Sequence, residues 1–132
     1  MNILFFLTPK SYIKVIEETM SIRQVLEIFE HYRYSTLAII DKSGKYLSTI
    51  SEGDLLYYLK NNLKFDLRSY ENINILEVPT YRPYKAISIL EEMDALIIKA
   101  MDQNFVPVID DKGSFIGIIT RKSIIKYLMD KK

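Results

Sequence analysis

Two kinds of apolar patterning alternate along the chain. Ile22, Val25, Leu26, Ile28, Phe29 and Tyr32 fall at helical spacing, and Ser21 stands where an N-cap is needed, which predicts an amphipathic helix. Four other runs are short, nearly continuous and rich in β-branched or aromatic residues: Thr36–Ile40, Tyr46–Ile50, Phe105–Ile109 and Phe115–Ile119. Runs of that length and composition predict strands. Each pair of runs is joined by a turn, Asp41-Lys42-Ser43-Gly44 or Asp110-Asp111-Lys112-Gly113, in which Asp bonds the backbone and Gly supplies a positive φ. Helices are predicted near Gly53–Lys60 and Lys122–Asp130, with Leu55, Leu56 and Leu59 on one face and Ile124, Ile125 and Leu128 on its equivalent. A fourth helix, capped by Asp94 or a neighbour, would turn Leu96, Ile97, Ile98 and Met101 inward. Short extended segments, Tyr12–Ile16 and Ala86–Ile89, precede the two leading helices.

This pattern is a repeat. A shift of 69 positions carries Tyr34–Lys60 onto Gln103–Met129 without a gap. Ile40, Asp41, Gly44, Ile50, Tyr58 and Leu59 land on identical residues, and Ser51 lands on Thr120, which keeps the hydroxyl. Each copy reads strand, helix, strand, strand, helix. The fold class is therefore α/β (α+β): two pseudo-symmetric repeats packed sheet to sheet, residues 1–64 and 65–132, with a joining segment over 61–85. A unit of about 55 residues is marginal alone, so the two copies are expected to share one compact module. Pro79 and Pro83 mark the joining segment as an ordered loop, and Ile73–Val78 within it reads as a strand. The apolar run Ile3–Leu7 is too short to span a membrane, and Pro9 ends it. It is expected to pack on the core as a strand or helix.

Composition excludes several classes of function. With 18 Lys and Arg against 17 Asp and Glu, the net charge of +1 gives no overall field that would select nucleic acid or an anionic membrane. The absence of cysteine removes disulfides, thiolate nucleophiles and thiolate metal sites, and fits a cytoplasmic protein. His31 is the one histidine, and a single imidazole does not make a metal site. The four glycines are dispersed, with no phosphate-binding loop among them. Glu17-Glu18 and Glu91-Glu92 are adjacent pairs whose side chains diverge, which makes poor acid–base dyads. No nucleophile stands with a base, so no enzyme is predicted.

The two copies resemble a pair of CBS domains, the family named for cystathionine β-synthase. Leu37-Ala38-Ile39-Ile40-Asp41 and Val106-Pro107-Val108-Ile109-Asp110 are similar to the family's apolar strand ending in Asp. Ile50-Ser51-Glu52-Gly53-Asp54-Leu55 and Ile119-Thr120-Arg121-Lys122-Ser123-Ile124 are similar to its hydroxyl-x-x-Asp motif. The resemblance implies a non-catalytic sensor of an adenosine-containing ligand: AMP, ADP or ATP, with S-adenosylmethionine or cyclic di-AMP as further members of the class. It places that ligand in the cleft between the repeats. Ser51 and Asp54 would hold the ribose, since a carboxylate accepts charge-assisted hydrogen bonds from both sugar hydroxyls. Ala86 and Ile87, of the opening strand of the opposite repeat, would lie against the base, and Ile13 and Pro107 are further candidate ligand-binding residues. The resemblance further implies a homodimer, and a regulated protein partner, if one exists, on another polypeptide.

The chain departs from the family pattern at two places. Ser123 stands where Asp is usual, so Thr120 and Ser123 make a second site without a carboxylate. The His-Arg pair that some members use for phosphate is replaced by Ser35-Thr36 and Asn104-Phe105. Lys10, Arg33, Arg82 and Arg121, each near a predicted cleft edge, are the candidate replacements. Two alternatives remain open at this stage. Ser51 and Asp54 also suit a plain helix start, as N-cap and first-turn acid. The module as a whole also suits a ligand-free dimerisation or interaction scaffold.

Overall fold

A computed structural model describes residues 2–62 and 66–131. It contains seven strands among the described residues: β1 (Thr8–Pro9), β2 (Ile16–Glu17), β3 (Thr36–Ile40), β4 (Tyr46–Ser51), β5 (Ile87–Ser88), β6 (Phe105–Ile109) and β7 (Phe115–Thr120). The α-helices are α1 (Ile22–Tyr32), α2 (Glu52–Asn62), α3 (Leu67–Tyr70), α4 (Met93–Asp102) and α5 (Arg121–Asp130). The order strand–helix–strand–strand–helix thus occurs twice, as β2-α1-β3-β4-α2 and β5-α4-β6-β7-α5. No described helix is long and apolar enough to cross a membrane.

The chain forms two compact units, and they do not divide at residue 64. Of the described residues, one unit holds 14–43, 47–62 and 66–83; the other holds 2–13, 44–46 and 84–131. In the first unit β2 runs parallel to β3, with Ile16 opposite Ile39, and β3 neighbours β4. Helix α1 starts in a capping box: Gln24 N–H donates to Ser21 Oγ at 3.2 Å, and Ser21 N–H donates to Gln24 Oε1 at 2.9 Å. Its buried face is Ile22, Val25 and Phe29, packed with Leu37, Ile39, Ile50 and Leu55.

The joining segment belongs to this unit because hydrogen bonds stitch it there. Ile22 N–H donates to the Ile73 carbonyl at 2.8 Å, Ile75 N–H donates to the Met20 carbonyl at 2.9 Å, and Asn74 Nδ2 donates to the Glu18 carbonyl at 2.8 Å. Tyr70, Ile75 and Val78 complete the core. The strand expected over Ile73–Val78 is instead a 3₁₀ turn, Ile75–Glu77, because Asn74 Oδ1 accepts the Leu76 N–H and caps it.

The second unit is built on a sheet ordered β1-β7-β6-β5. β6 and β7 are antiparallel, β5 runs parallel to β6, and β1 adds antiparallel to the free edge of β7. The N-terminal apolar run is a 3₁₀ turn, Ile3–Phe6, whose Ile3 and Phe6 join Ile87, Leu96, Ala100, Val106, Val108, Ile119 and Ile124 in the core. The extended segment expected over Tyr12–Ile16 is a second 3₁₀ turn, Lys10–Tyr12, with strand only at Ile16–Glu17. Gly117 admits β1: with φ of +156°, a Cβ there would stand 2.2 Å from the Thr8 carbonyl oxygen.

Helix α4 differs from the expectation on its inward side. Its N-cap is Glu92, a neighbour of Asp94, and the side chain there makes no cap hydrogen bond. Its inward face is Leu96 and Ala100, while Ile98 and Met101 are 64% and 73% exposed. Successive residues on an α-helix point about 100° apart, so Leu96, Ile97 and Ile98 cannot share one buried face. The same spacing leaves Leu56 and Ile125 exposed beside buried Leu55 and Ile124. Gln103, just past α4, is buried and binds Lys85 through both ends of its amide, accepting from Lys85 N–H at 2.8 Å and donating to the Lys85 carbonyl at 3.0 Å.

Candidate functional site

Ser51 ends β4 and stands directly before α2, so it meets the unpaired N–H groups of that helix. Asp54 N–H donates to Ser51 Oγ at 3.1 Å, and Ser51 N–H donates to Asp54 Oδ2 at 3.0 Å. The pair therefore forms a reciprocal capping box, as the helix-start alternative expects. The other carboxylate oxygen, Oδ1, accepts the N–H of Tyr81 at 3.1 Å. The start of α2 is fixed from a third side, where Glu52 N–H donates to the Ser35 carbonyl at 3.0 Å.

Capping does not exhaust this carboxylate. An ionised carboxyl group offers about four acceptor positions, and these backbone bonds occupy one on each oxygen. Among the described residues these are its bonds, so one position per oxygen remains, on a side chain that is half-buried and held by backbone of two segments. Two acceptors a carboxylate-width apart suit two neighbouring hydroxyls, and the adjacent helix N-terminus favours negative charge.

The second copy repeats the frame and loses the chemistry. Arg121 N–H donates to the Asn104 carbonyl at 2.9 Å, the equivalent of the Glu52–Ser35 bond. Ser123 N–H donates to Thr120 Oγ1 at 3.2 Å, as Asp54 does to Ser51. The Ser123 hydroxyl then turns back and donates to the Thr120 carbonyl at 2.8 Å, where Asp54 offers an acceptor.

The remaining candidates fall into two groups. Arg33 and Arg82 share a unit with Ser51 and Asp54, whereas Lys10, Ile13, Ala86, Ile87, Pro107, Thr120, Arg121 and Ser123 lie in the other. Two of the arginines serve helix C-termini. Arg33, in the left-handed region at φ 59°, donates through Nε to the Glu30 carbonyl at 2.9 Å. Arg121 donates through Nε to the Ala100 carbonyl at 2.7 Å and through Nη2 to that of Met101 at 3.4 Å. Arg82 instead lies over the Tyr81 ring, 5.3 Å from its centroid. Ile87 is fully buried in its own unit's core and Pro107 is buried in mid-β6, while Ala86 and Ile13 are half-buried. Lys10 is exposed on the 3₁₀ turn that lies against β7. Its charge reaches Asp110, whose carboxyl is held below its usual 3.8 first by the Ser114 N–H, then by that of Lys112, against a smaller opposing effect of burial.

Tyr81 is the site residue that sequence reasoning missed. Its link to Asp54 runs through a main-chain N–H, which no side-chain type announces; Pro79 and Pro83 on either side are the only local signal of a fixed segment. Among the described residues no group of three or more His, Asp or Glu is placed to hold a metal ion.

The CBS domain family model matches residues 7–61 and 85–130. The chain is 28% identical to CbpB in a crystal structure with cyclic di-AMP, with a TM-score of 0.87 over 98% of this chain and 85% of that one. It is 30% identical to CbpB from Streptococcus agalactiae, with a TM-score of 0.81 over 96% of this chain and 78% of that one. It is also 28% identical to an inosine-5'-monophosphate dehydrogenase of Nitrosopumilus maritimus, over 83% of this chain but 21% of the enzyme.

Proposed function

Because the chain belongs to the CBS domain family, matched twice along its length, we propose that it is a non-catalytic regulatory module that binds an adenosine-containing nucleotide, with Ser51 and Asp54 gripping the ribose. The observation that carries this reading is the Asp54 carboxylate, oriented by two backbone N–H groups and left with one acceptor position on each oxygen. A vicinal diol fits those positions without breaking either bond, so the acceptor is preorganised and the ligand gains affinity that ordering would otherwise consume. The likeness to a CbpB solved with cyclic di-AMP supports an adenine nucleotide as the ligand class. Each ribose of that compound keeps only its 2'-hydroxyl free, so the two-hydroxyl grip applies to AMP, ATP and S-adenosylmethionine, and cyclic di-AMP would use one acceptor position of Asp54. The likeness to the dehydrogenase covers about a fifth of that enzyme, and its chemistry does not follow from it.

The second site, at Thr120 and Ser123, is read as inactive, because the Ser123 hydroxyl is spent on the Thr120 carbonyl. One nucleotide per chain is expected. Assembly as a homodimer in the cytoplasm is part of this proposal, and exposed Ile98, Met101, Ile125 and Met129 are the apolar side chains it would cover. A monomer at micromolar concentration in sedimentation would reject it.

The direct experiment is calorimetric and thermal titration with AMP, ATP, S-adenosylmethionine and cyclic di-AMP. Ligand at about 100 times its dissociation constant adds roughly 2.7 kcal/mol of stability. Asp54→Ala removes that gain. A second reading, a ligand-free dimerisation or interaction scaffold, is favoured by the fact that Ser51 and Asp54 satisfy each other as a helix cap. An unchanged melting temperature with all four compounds decides for it.

A further inference from the structure

Tyr81 is 82% exposed, and few surface aromatics in the chain give up so much apolar area to water. Exposure alone does not single it out, since Tyr12 is 79% exposed. What does is the tether: the N–H of Tyr81 itself donates to Asp54 Oδ1, so the ring starts one bond from a residue fixed on the carboxylate. The copy without a carboxylate offers Tyr12 no such partner, because Ser123 stands in Asp54's place. The segment is further stiffened by Pro79 and Pro83, whose rings fix φ, and Pro83 restricts Arg82 before it. The Arg82 guanidinium lies over the Tyr81 ring, 5.3 Å from its centroid, and the Tyr81 side chain is otherwise largely in solvent.

These facts put an exposed aromatic side chain on the residue whose backbone N–H is fixed on the diol acceptor. A nucleoside carries a flat heterocycle one glycosidic bond away from a vicinal diol, so the two halves of the ligand match the two halves of the arrangement. We infer that Tyr81 is the base-stacking residue of the nucleotide site, held beside Asp54 by its own backbone N–H and backed by Arg82. The inference rests on the nucleotide reading above and deepens it. Stacking asks for a π face and not for a particular edge, so affinity from Tyr81 is shared among adenine ligands while Asp54 supplies the requirement for ribose.

The full chain is titrated calorimetrically with AMP and with cyclic di-AMP, as wild type, Tyr81→Phe and Tyr81→Leu. All three keep the backbone N–H, and an exposed side chain leaves folding intact, which the melting temperature checks. Tyr81→Phe is expected to bind within about twofold of wild type and Tyr81→Leu about 5- to 150-fold more weakly, the range set by loss of one base–aromatic stack. The chain has no tryptophan, so Tyr81→Trp introduces a single reporter. Its fluorescence is expected to fall with AMP and to stay unchanged with ribose 5-phosphate. Wild-type binding with Tyr81→Leu unaffected, or with Tyr81→Phe weakened as much as Tyr81→Leu, overturns this inference and leaves the nucleotide reading standing. Failure of the wild type to bind either nucleotide overturns both.

Discussion

Tyr46 and Phe115 occupy equivalent positions of the repeat, and their rings stack on each other, 6.3 Å between centroids and 25° between planes. The backbone around them is reciprocal: Tyr46 N–H donates to the Gly113 carbonyl at 3.3 Å, and Phe115 N–H donates to the Gly44 carbonyl at 2.9 Å. Each turn glycine thus accepts from the residue two places beyond its counterpart. Phe115 is fully buried, while Tyr46 also donates its hydroxyl to the Tyr84 carbonyl.

That geometry separates two contributions of Tyr46. Tyr46→Phe keeps the ring pair and loses the hydroxyl bond, an expected loss of about 1 kcal/mol. Tyr46→Ala loses the ring pair as well, a further 0.5–1.5 kcal/mol or so beyond the buried area. Urea denaturation of both variants measures the difference. Equal stability of the two would show that the stacking contributes nothing.

Gly117 is the position on which the N-terminal segment depends. Gly117→Ala drives a Cβ to 2.2 Å from the Thr8 carbonyl and 2.9 Å from Leu7 Cδ1, with φ already where L residues are strained. The expected outcome is detachment of β1 and exposure of Ile3 and Phe6, with destabilisation of about 1–3 kcal/mol or more. Limited proteolysis reads it directly, as cleavage near residues 7–13 that the wild type resists. A variant as resistant as wild type would show that β1 docks without needing this glycine.

The sequence revealed most where a local pattern and a local cause coincide. β3 and β6 run over Thr36–Ile40 and Phe105–Ile109, as the apolar runs and their Asp turns require. The pattern failed where a distant partner decides the outcome. Ile73–Val78 is apolar enough for a strand, but Asn74 caps a turn there and Met20, some fifty residues away, takes the Ile75 N–H. The N-terminal run finds its place at Gly117, whose counterpart in the first copy is Ser48, so the repeat gave no warning of an added edge strand. At the candidate site the hydroxyl-x-x-Asp spacing marked the capping box correctly. It carried no trace of Tyr81, because a backbone N–H is common to every residue but proline.

Asp110 gives the turn before β7 a pH dependence. Its carboxyl accepts N–H bonds from Lys112 and Ser114, both at 2.9 Å, and its pKa lies below 3.8. A carboxyl depressed in the folded state stabilises the protein above the unfolded value, and that contribution fades as pH falls through the lower folded value. Wild type and Asp110→Asn are therefore expected to differ at neutral pH and to converge below about pH 3.8. Carboxyl-carbon NMR of Asp110 tests the premise; a midpoint at or above 3.8 would refute it.

Ser123 is where the two copies part chemically, and restoring the carboxylate tests how much of the site a single residue carries. In Ser123→Asp the N–H bond to Thr120 Oγ1 is kept, since it uses the backbone of residue 123. The new carboxyl stands at the third residue of α5, which has no acidic residue in its first turn, so favourable interaction with the helix N-terminus is expected at about 0.3–1 kcal/mol. It no longer donates to the Thr120 carbonyl, and it presents acceptors where the hydroxyl offered a donor already spent. If diol capture by a capping carboxylate is what makes a site in this chain, the nucleotide stoichiometry in calorimetry rises from one toward two. A stabilised α5 with stoichiometry unchanged would mean that the carboxylate is a cap alone in this copy. The contrast with the first copy would then pass to the backbone tether between Tyr81 and Asp54, which holds the aromatic residue at the carboxylate in that copy.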